Sequence, residues 1–112
     1  MNHEIITQGS VVIAGFEGDV DIHTSPVARK VLLECVGRKM PVLVDLSKVD
    51  YIDSSGIASL VESLQTARKG GSDLALVAVS EAALRVLQLA RLDKVFSIYV
   101  SIDDGIEGVG CL

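Results

Sequence analysis

The chain predicts an α/β fold built on a central mixed β-sheet, mostly parallel, and three observations carry that prediction. Aromatic residues make up only 4% of the 112 residues and Trp is absent, so the core has to be assembled from Val, Ile, Leu and Ala. Two apolar runs, residues 40–46 and 74–79, have the length of strands buried on both faces, the usual situation in a parallel sheet. Between and after them lie helix-periodic segments, the crossovers that parallel strands require.

Taken in order, residues 3–7 and 10–16 read as two extended segments, with Gln8-Gly9 as a hairpin turn between them. Residues 17–22 continue as a short strand or a loop. Ser25-Pro26 is a strong helix start, with Ser25 as N-cap and Pro26 at the first helical position. Val27, Val31, Leu32 and Cys35 share one face of that helix, and Gly37 stops it. After the apolar strand 40–46 comes a short polar link. From Ser54 or Ser55 a second helix runs to about Lys69, with Ile57, Leu60, Val61 and Leu64 at helical spacing and Gly70-Gly71 ending it. Strand 74–79 follows, and Ser80-Glu81 caps a helix carrying Leu84, Leu87 and Ala90 or Arg91. Residues 95–100 read as a further strand. Ser101 with Asp103 and Asp104 starts a last short helix, weakened by Gly105, Gly108 and Gly110. The expected order is β-β-α-β-α-β-α-β-α, about four helices flanking the sheet, in a single domain over residues 1–112.

The composition narrows function. Apolar residues make up 49% of the chain, which excludes a disordered segment. A formal net charge of -5 argues against direct nucleic-acid binding and against an anionic membrane surface, while remaining compatible with a basic protein partner. No apolar run approaches the roughly 20 residues that span a bilayer, and no signal-peptide pattern is visible, so no membrane insertion and a cytoplasmic location are expected. Cys35 and Cys111 are far apart, without a Cys-x-x-Cys pair or a His cluster. They read as reduced thiols in or near the core, with no metal site and no cofactor expected.

The functional candidate is Asp53-Ser54-Ser55-Gly56. It follows the polar link after a buried strand and opens a helix, so its hydroxyls lie at the positive end of a helix dipole, a place that stabilises a bound anion or an attached phosphate. Serine hydrolysis needs a base in the right order, and the only histidines are His3 and His23. A phosphate-cradling loop would need more glycines and a preceding lysine. No catalytic residues are assigned, and a non-enzyme is expected. One reading of the motif is a helix cap alone. Two details weigh against it: the second hydroxyl falls inside the first turn, and Gly56 leaves room for another protein's backbone to approach.

The run Val42-Leu43-Val44-Asp45-Leu46-Ser47-Lys48-Val49-Asp50-Tyr51-Ile52-Asp53-Ser54-Ser55-Gly56-Ile57 resembles the central signature of the anti-sigma factor antagonists, the bacterial STAS domains. Gly18-Asp19-Val20-Asp21 with Thr24-Ser25-Pro26 resembles the family's first loop and helix start. The later elements around Gly70-Gly71 and residues 89–96 extend the likeness over nearly the whole chain. The resemblance implies a STAS-like fold and a partner-switching protein. The unmodified form would bind a cognate anti-sigma factor, itself a serine kinase, and so free a sigma factor. Phosphorylation of Ser55 would end that binding, and a PP2C-type phosphatase acting on phospho-Ser55 would restore it. Asp21, Thr24, Asp53, Ser54, Ser55 and Gly56 are the implied partner-binding residues, with Ser54 as the cap and Ser55 as the switch. Asp45 is expected to organise its loop rather than touch the partner, and His23 to be an ordinary exposed histidine. The alternative on the same fold is a STAS subunit of a stress-signalling complex or of an ABC-type lipid transporter.

Overall fold

The computed structural model describes residues 1–110, so the expectation for Cys111 lies outside the described residues. Among them, five strands and four helices follow the expected order: β1 (Asn2–Gln8), β2 (Val11–Val20), α1 (Ser25–Val36), β3 (Val42–Ile52), α2 (Ser54–Lys69), β4 (Leu74–Val77), α3 (Glu81–Leu89), β5 (Ile98–Tyr99) and α4 (Ile102–Gly110). The strands lie side by side in chain order, β1 antiparallel to β2 and every later neighbour parallel.

Alternation along the central strands divides the core between the two sheet faces. Val42, Val44, Leu46, Leu74 and Leu76 point to one face and pack with α1, α2 and α3. Leu43, Ala75 and Val77 point to the other and meet Val109 of α4. Both faces are therefore buried along β4 and the first half of β3, which explains their apolar character, interrupted in β3 by the half-buried Asp45.

Several boundaries depart from expectation, each for a physical reason. The polar link after β3 does not exist as a loop: residues 47–52 continue the strand. They pair with residues 17–20 of β2, which are strand rather than loop, through two register shifts. Val49 and Ile52 are buried there while their neighbours are exposed, so no continuous apolar run announces this half of the strand. Ser25 is not the N-cap of α1. Thr24 holds that position, Ser25 is already helical and buried, and no side chain caps the helix. The inner face is correspondingly Ala28, Val31, Leu32, Cys35 and Val36, with Val27 turned outward at 41% exposure. Burial raises the Cys35 thiol pKa, consistent with an inert core thiol.

The hairpin turn is Gly9-Ser10, since Gln8 pairs with Val11, and Gly9 takes the positive φ of 61°. β4 and β5 are shorter than the runs that suggested them. Ala78 leaves the first at φ 50°, and Val95 and Val100 are exposed around the second. Ser80 caps α3 as expected, accepting from the Ala83 amide, but Ala90 and Arg91 fall beyond its end.

The last helix forms as expected, as α4, and its glycines have a packing role. Gly105 lies on the sheet so closely that a Cβ would come within 2.6 Å of Val77 and 3.0 Å of Leu43, and at Gly108 it would overlap the Tyr99 ring. These glycines permit close packing, and the packing outweighs their low helix propensity.

Candidate phosphorylation and partner-binding site

Parallel pairing makes β2 and β3 finish together, with Val20 beside Ile52. The two segments that follow, residues 21–24 and Asp53, are thereby brought to one end of the sheet. Sheets of this kind present their ligands and partners with loops at the strands' carboxyl ends. The Asp53 amide donates to the Val20 carbonyl at 3.1 Å, tying the segments at their base.

Asp53 is the N-cap of α2, in extended conformation. Its Oδ1 accepts from the amides of Ser55 (2.9 Å) and Gly56 (3.2 Å), two of the first-turn N–H groups that a helix leaves unpaired. Its Oδ2 accepts from the Ile22 amide at 3.2 Å, across 31 positions of sequence. Asp53 therefore caps α2 in place of Ser54, which becomes the first helical residue and is exposed, whereas Ser55 is half-buried. Neither hydroxyl is needed for the cap.

Gly56 is buried and its open side faces inward. A Cβ would lie 2.6 Å from Ile52 Cγ1, 2.7 Å from the Val20 carbonyl oxygen and 2.8 Å from Val20 Cγ1. The room expected there for a partner's backbone is filled by the protein's own floor. Gly56 shapes the site by letting α2 start against the β2–β3 ends.

The facing loop is held by its own groups. Asp21 Oδ1 accepts from the His23 (2.9 Å) and Thr24 (3.1 Å) amides, while Thr24 Oγ1 donates to the Asp19 carbonyl at 2.8 Å and accepts from the Asp21 amide at 2.9 Å. The Thr24 and then the His23 amide hold the Asp21 carboxyl below its ordinary pKa. His23 is exposed. Asp45 lies back along β3, half-buried, and accepts from the Ser47 amide, so it organises its own strand.

Asp21, Thr24, Asp53, Ser54, Ser55 and Gly56 thus come together at one end of the molecule. Two features beside them had no counterpart in the sequence reading. Ile22 is 66% exposed at the tip of the facing loop. An apolar groove also runs from Ser54 between α2 and α3, lined by Ala58, Val61, Val86 and Leu89, the last 80% exposed. The signal available for the groove was Leu89 itself, a large apolar residue off the face set by Leu84 and Leu87. Among the described residues no cluster of His, Cys, Asp or Glu is placed to hold a metal ion, and no helix is long and apolar enough to cross a membrane.

The family model described as STAS domain matches residues 2–105. The anti-sigma-B factor antagonist of Bacillus subtilis is 26% identical over 90 residues, which cover 80% of this chain and 83% of that protein. An anti-sigma factor antagonist from Mycobacterium paratuberculosis shares the fold at a TM-score of 0.88 and 24% identity, covering 97% of this chain and 93% of the other. The Bacillus cell fate determinant SpoIIAA has been solved both unphosphorylated and phosphorylated. It shares the fold at 14% identity with TM-scores of 0.82 and 0.74, covering 99% and 96% of this chain and 98% and 99% of the other.

Proposed function

The chain belongs to the STAS domain family, and on that premise we propose that it is an anti-sigma factor antagonist switched by phosphorylation at the start of α2. The unmodified form binds a cognate anti-sigma factor with serine-kinase activity, and the sigma factor is released. Transfer of the γ-phosphoryl group of ATP to a serine hydroxyl of Asp53-Ser54-Ser55-Gly56 ends the binding. A PP2C-type phosphatase restores it.

The observation that supports this reading best is a pair of hydroxyls at a helix N-terminus, neither used in capping, beside a second loop on the same end of the sheet. A phosphoserine adds about -1.5 to -2 charges. The helix dipole accommodates negative charge there to the extent of about 0.3–1 kcal/mol, so the fold tolerates the group. A partner surface fitted to the unmodified site does not. An unmatched group at the centre of an interface costs on the order of 2 kcal/mol or more.

The resemblance assigns the acceptor to Ser55. One observation favours Ser54 instead: it is the exposed member of the pair, and a kinase has to bring its nucleotide in line with a reachable hydroxyl. Incubation with the cognate kinase and ATP, followed by mapping of the phosphate by mass spectrometry in the wild type, Ser54→Ala and Ser55→Ala, separates the two. Phosphate on one serine, abolished only by its own alanine variant, is the expected result. Phosphate on neither sinks the switch.

A further inference from the structure

The same carboxylate that caps α2 also holds the facing loop, and from this we infer that Asp53 is the positioning residue through which phosphorylation at Ser54 or Ser55 reaches Ile22. The inference rests on the phosphorylation reading above and deepens it: the phosphate alters the neighbouring loop as well as adding charge to the surface.

Three amides converge on Asp53. Ser55 and Gly56 donate to Oδ1 at 2.9 and 3.2 Å, and Ile22 donates to Oδ2 at 3.2 Å. A phosphate attached one or two residues along the chain seeks the same first-turn amides, because they are the donors a helix start offers to an anion. It also brings a dianion close to a carboxylate, and like charges at that separation repel strongly. Asp53 has one way to move without breaking backbone structure, since its own amide remains tied to Val20 and its carbonyl accepts from Ile57. Its side chain turns away from the incoming group, and the bond to Ile22 is lost.

The consequence is confined to a short stretch. The amides of His23 and Thr24 are held by Asp21 and not by Asp53. Only the Ile22 amide depends on the α2 cap, and Ile22 carries the exposed apolar side chain of that loop. Release of this one amide loosens the loop tip exactly where a partner would meet an ordered apolar residue beside the serines.

The substitution Asp53→Ser separates the two duties. A serine N-cap still accepts from the first-turn amides, but its shorter side chain does not reach Ile22. The test uses protein carrying phosphoserine installed at position 54 or 55 during translation, so that no kinase is required. Amide exchange with water is followed residue by residue by NMR magnetisation transfer. In the wild type, phosphorylation at one of the two positions is expected to speed Ile22 exchange by about tenfold, the scale of one lost hydrogen bond, while His23 and Thr24 stay unchanged. In Asp53→Ser the Ile22 amide exchanges fast in both forms, and the unphosphorylated variant binds the cognate kinase about tenfold more weakly. Equal Ile22 exchange in unmodified and both phosphorylated wild-type forms overturns the inference, and that comparison stands even if Asp53→Ser fails to fold. Failure of the wild type to bind any candidate kinase would count against the anti-sigma reading, leaving the exchange result to judge the coupling by itself.

Discussion

Gly56 shows how much of this site is decided by one missing methyl group. A Cβ on it would lie 2.6 Å from Ile52 Cγ1 and 2.7 Å from the Val20 carbonyl oxygen, closer than real Cβ contacts come. Gly56→Ala is therefore expected to destabilise the protein by about 1–3 kcal/mol, read by denaturant unfolding, because the obstruction includes a main-chain oxygen rather than a flexible side-chain end. Melting unchanged from the wild type would show that α2 starts with room to spare. Local chemistry made Asp53-Ser54-Ser55-Gly56 legible in the sequence as a helix start with spare hydroxyls. The inward direction of Gly56 and the bond from Ile22 to Asp53 were not legible. Both depend on β2 and β3 ending level, which follows from a register with two shifts that no local pattern encodes.

At the scale of elements, α4 reverses the usual argument about glycine. Replacing a mid-helix glycine by alanine ordinarily gains up to about 1 kcal/mol of helix propensity. Here Gly105→Ala is expected to destabilise instead, since its methyl would meet Val77 and Leu43, both fully buried and closely packed. Gly108→Ala is expected to cost less, because its obstruction is the far end of the partly exposed Tyr99 ring, which can swing aside. Thermal melting of the two variants checks the order, and stabilisation by Gly105→Ala would contradict the packing. Propensity alone predicted a weak last helix because it is blind to what the helix lies on. The same blindness hides the second half of β3. A strand's fully buried half advertises itself as an apolar run, whereas residues 47–52 carry only Val49 and Ile52 inward. Helix α2 is legible from its apolar spacing and the Gly70-Gly71 stop, although Asp53 rather than Ser54 caps it, and α3 is legible from its Ser80 cap.

Across the whole molecule, the candidate site lies at the end of the sheet, where Gly56 rests on Val20 and Ile52 of the core while Ser54 is exposed. The three-helix face and the α4 face supply the buried apolar contacts. Charge added at Ser54 or Ser55 touches the exposed start of α2 and the tip of its neighbouring loop. On the proposed reading, stability and partner binding are separable at the two serines, and a switch built this way would change recognition without unfolding its carrier. The apolar groove from Ser54 to Leu89 and the exposed Ile22 border the same end.

The most direct test is calorimetric titration of the cognate anti-sigma kinase with unphosphorylated protein and with protein phosphorylated at the mapped serine, alongside their melting temperatures. The expected result is binding of the unmodified form, a loss of at least about a hundredfold in affinity on phosphorylation, or some 2.7 kcal/mol, and nearly coincident melting. Equal affinity of the two forms, or unfolding of the phosphorylated one, would contradict it.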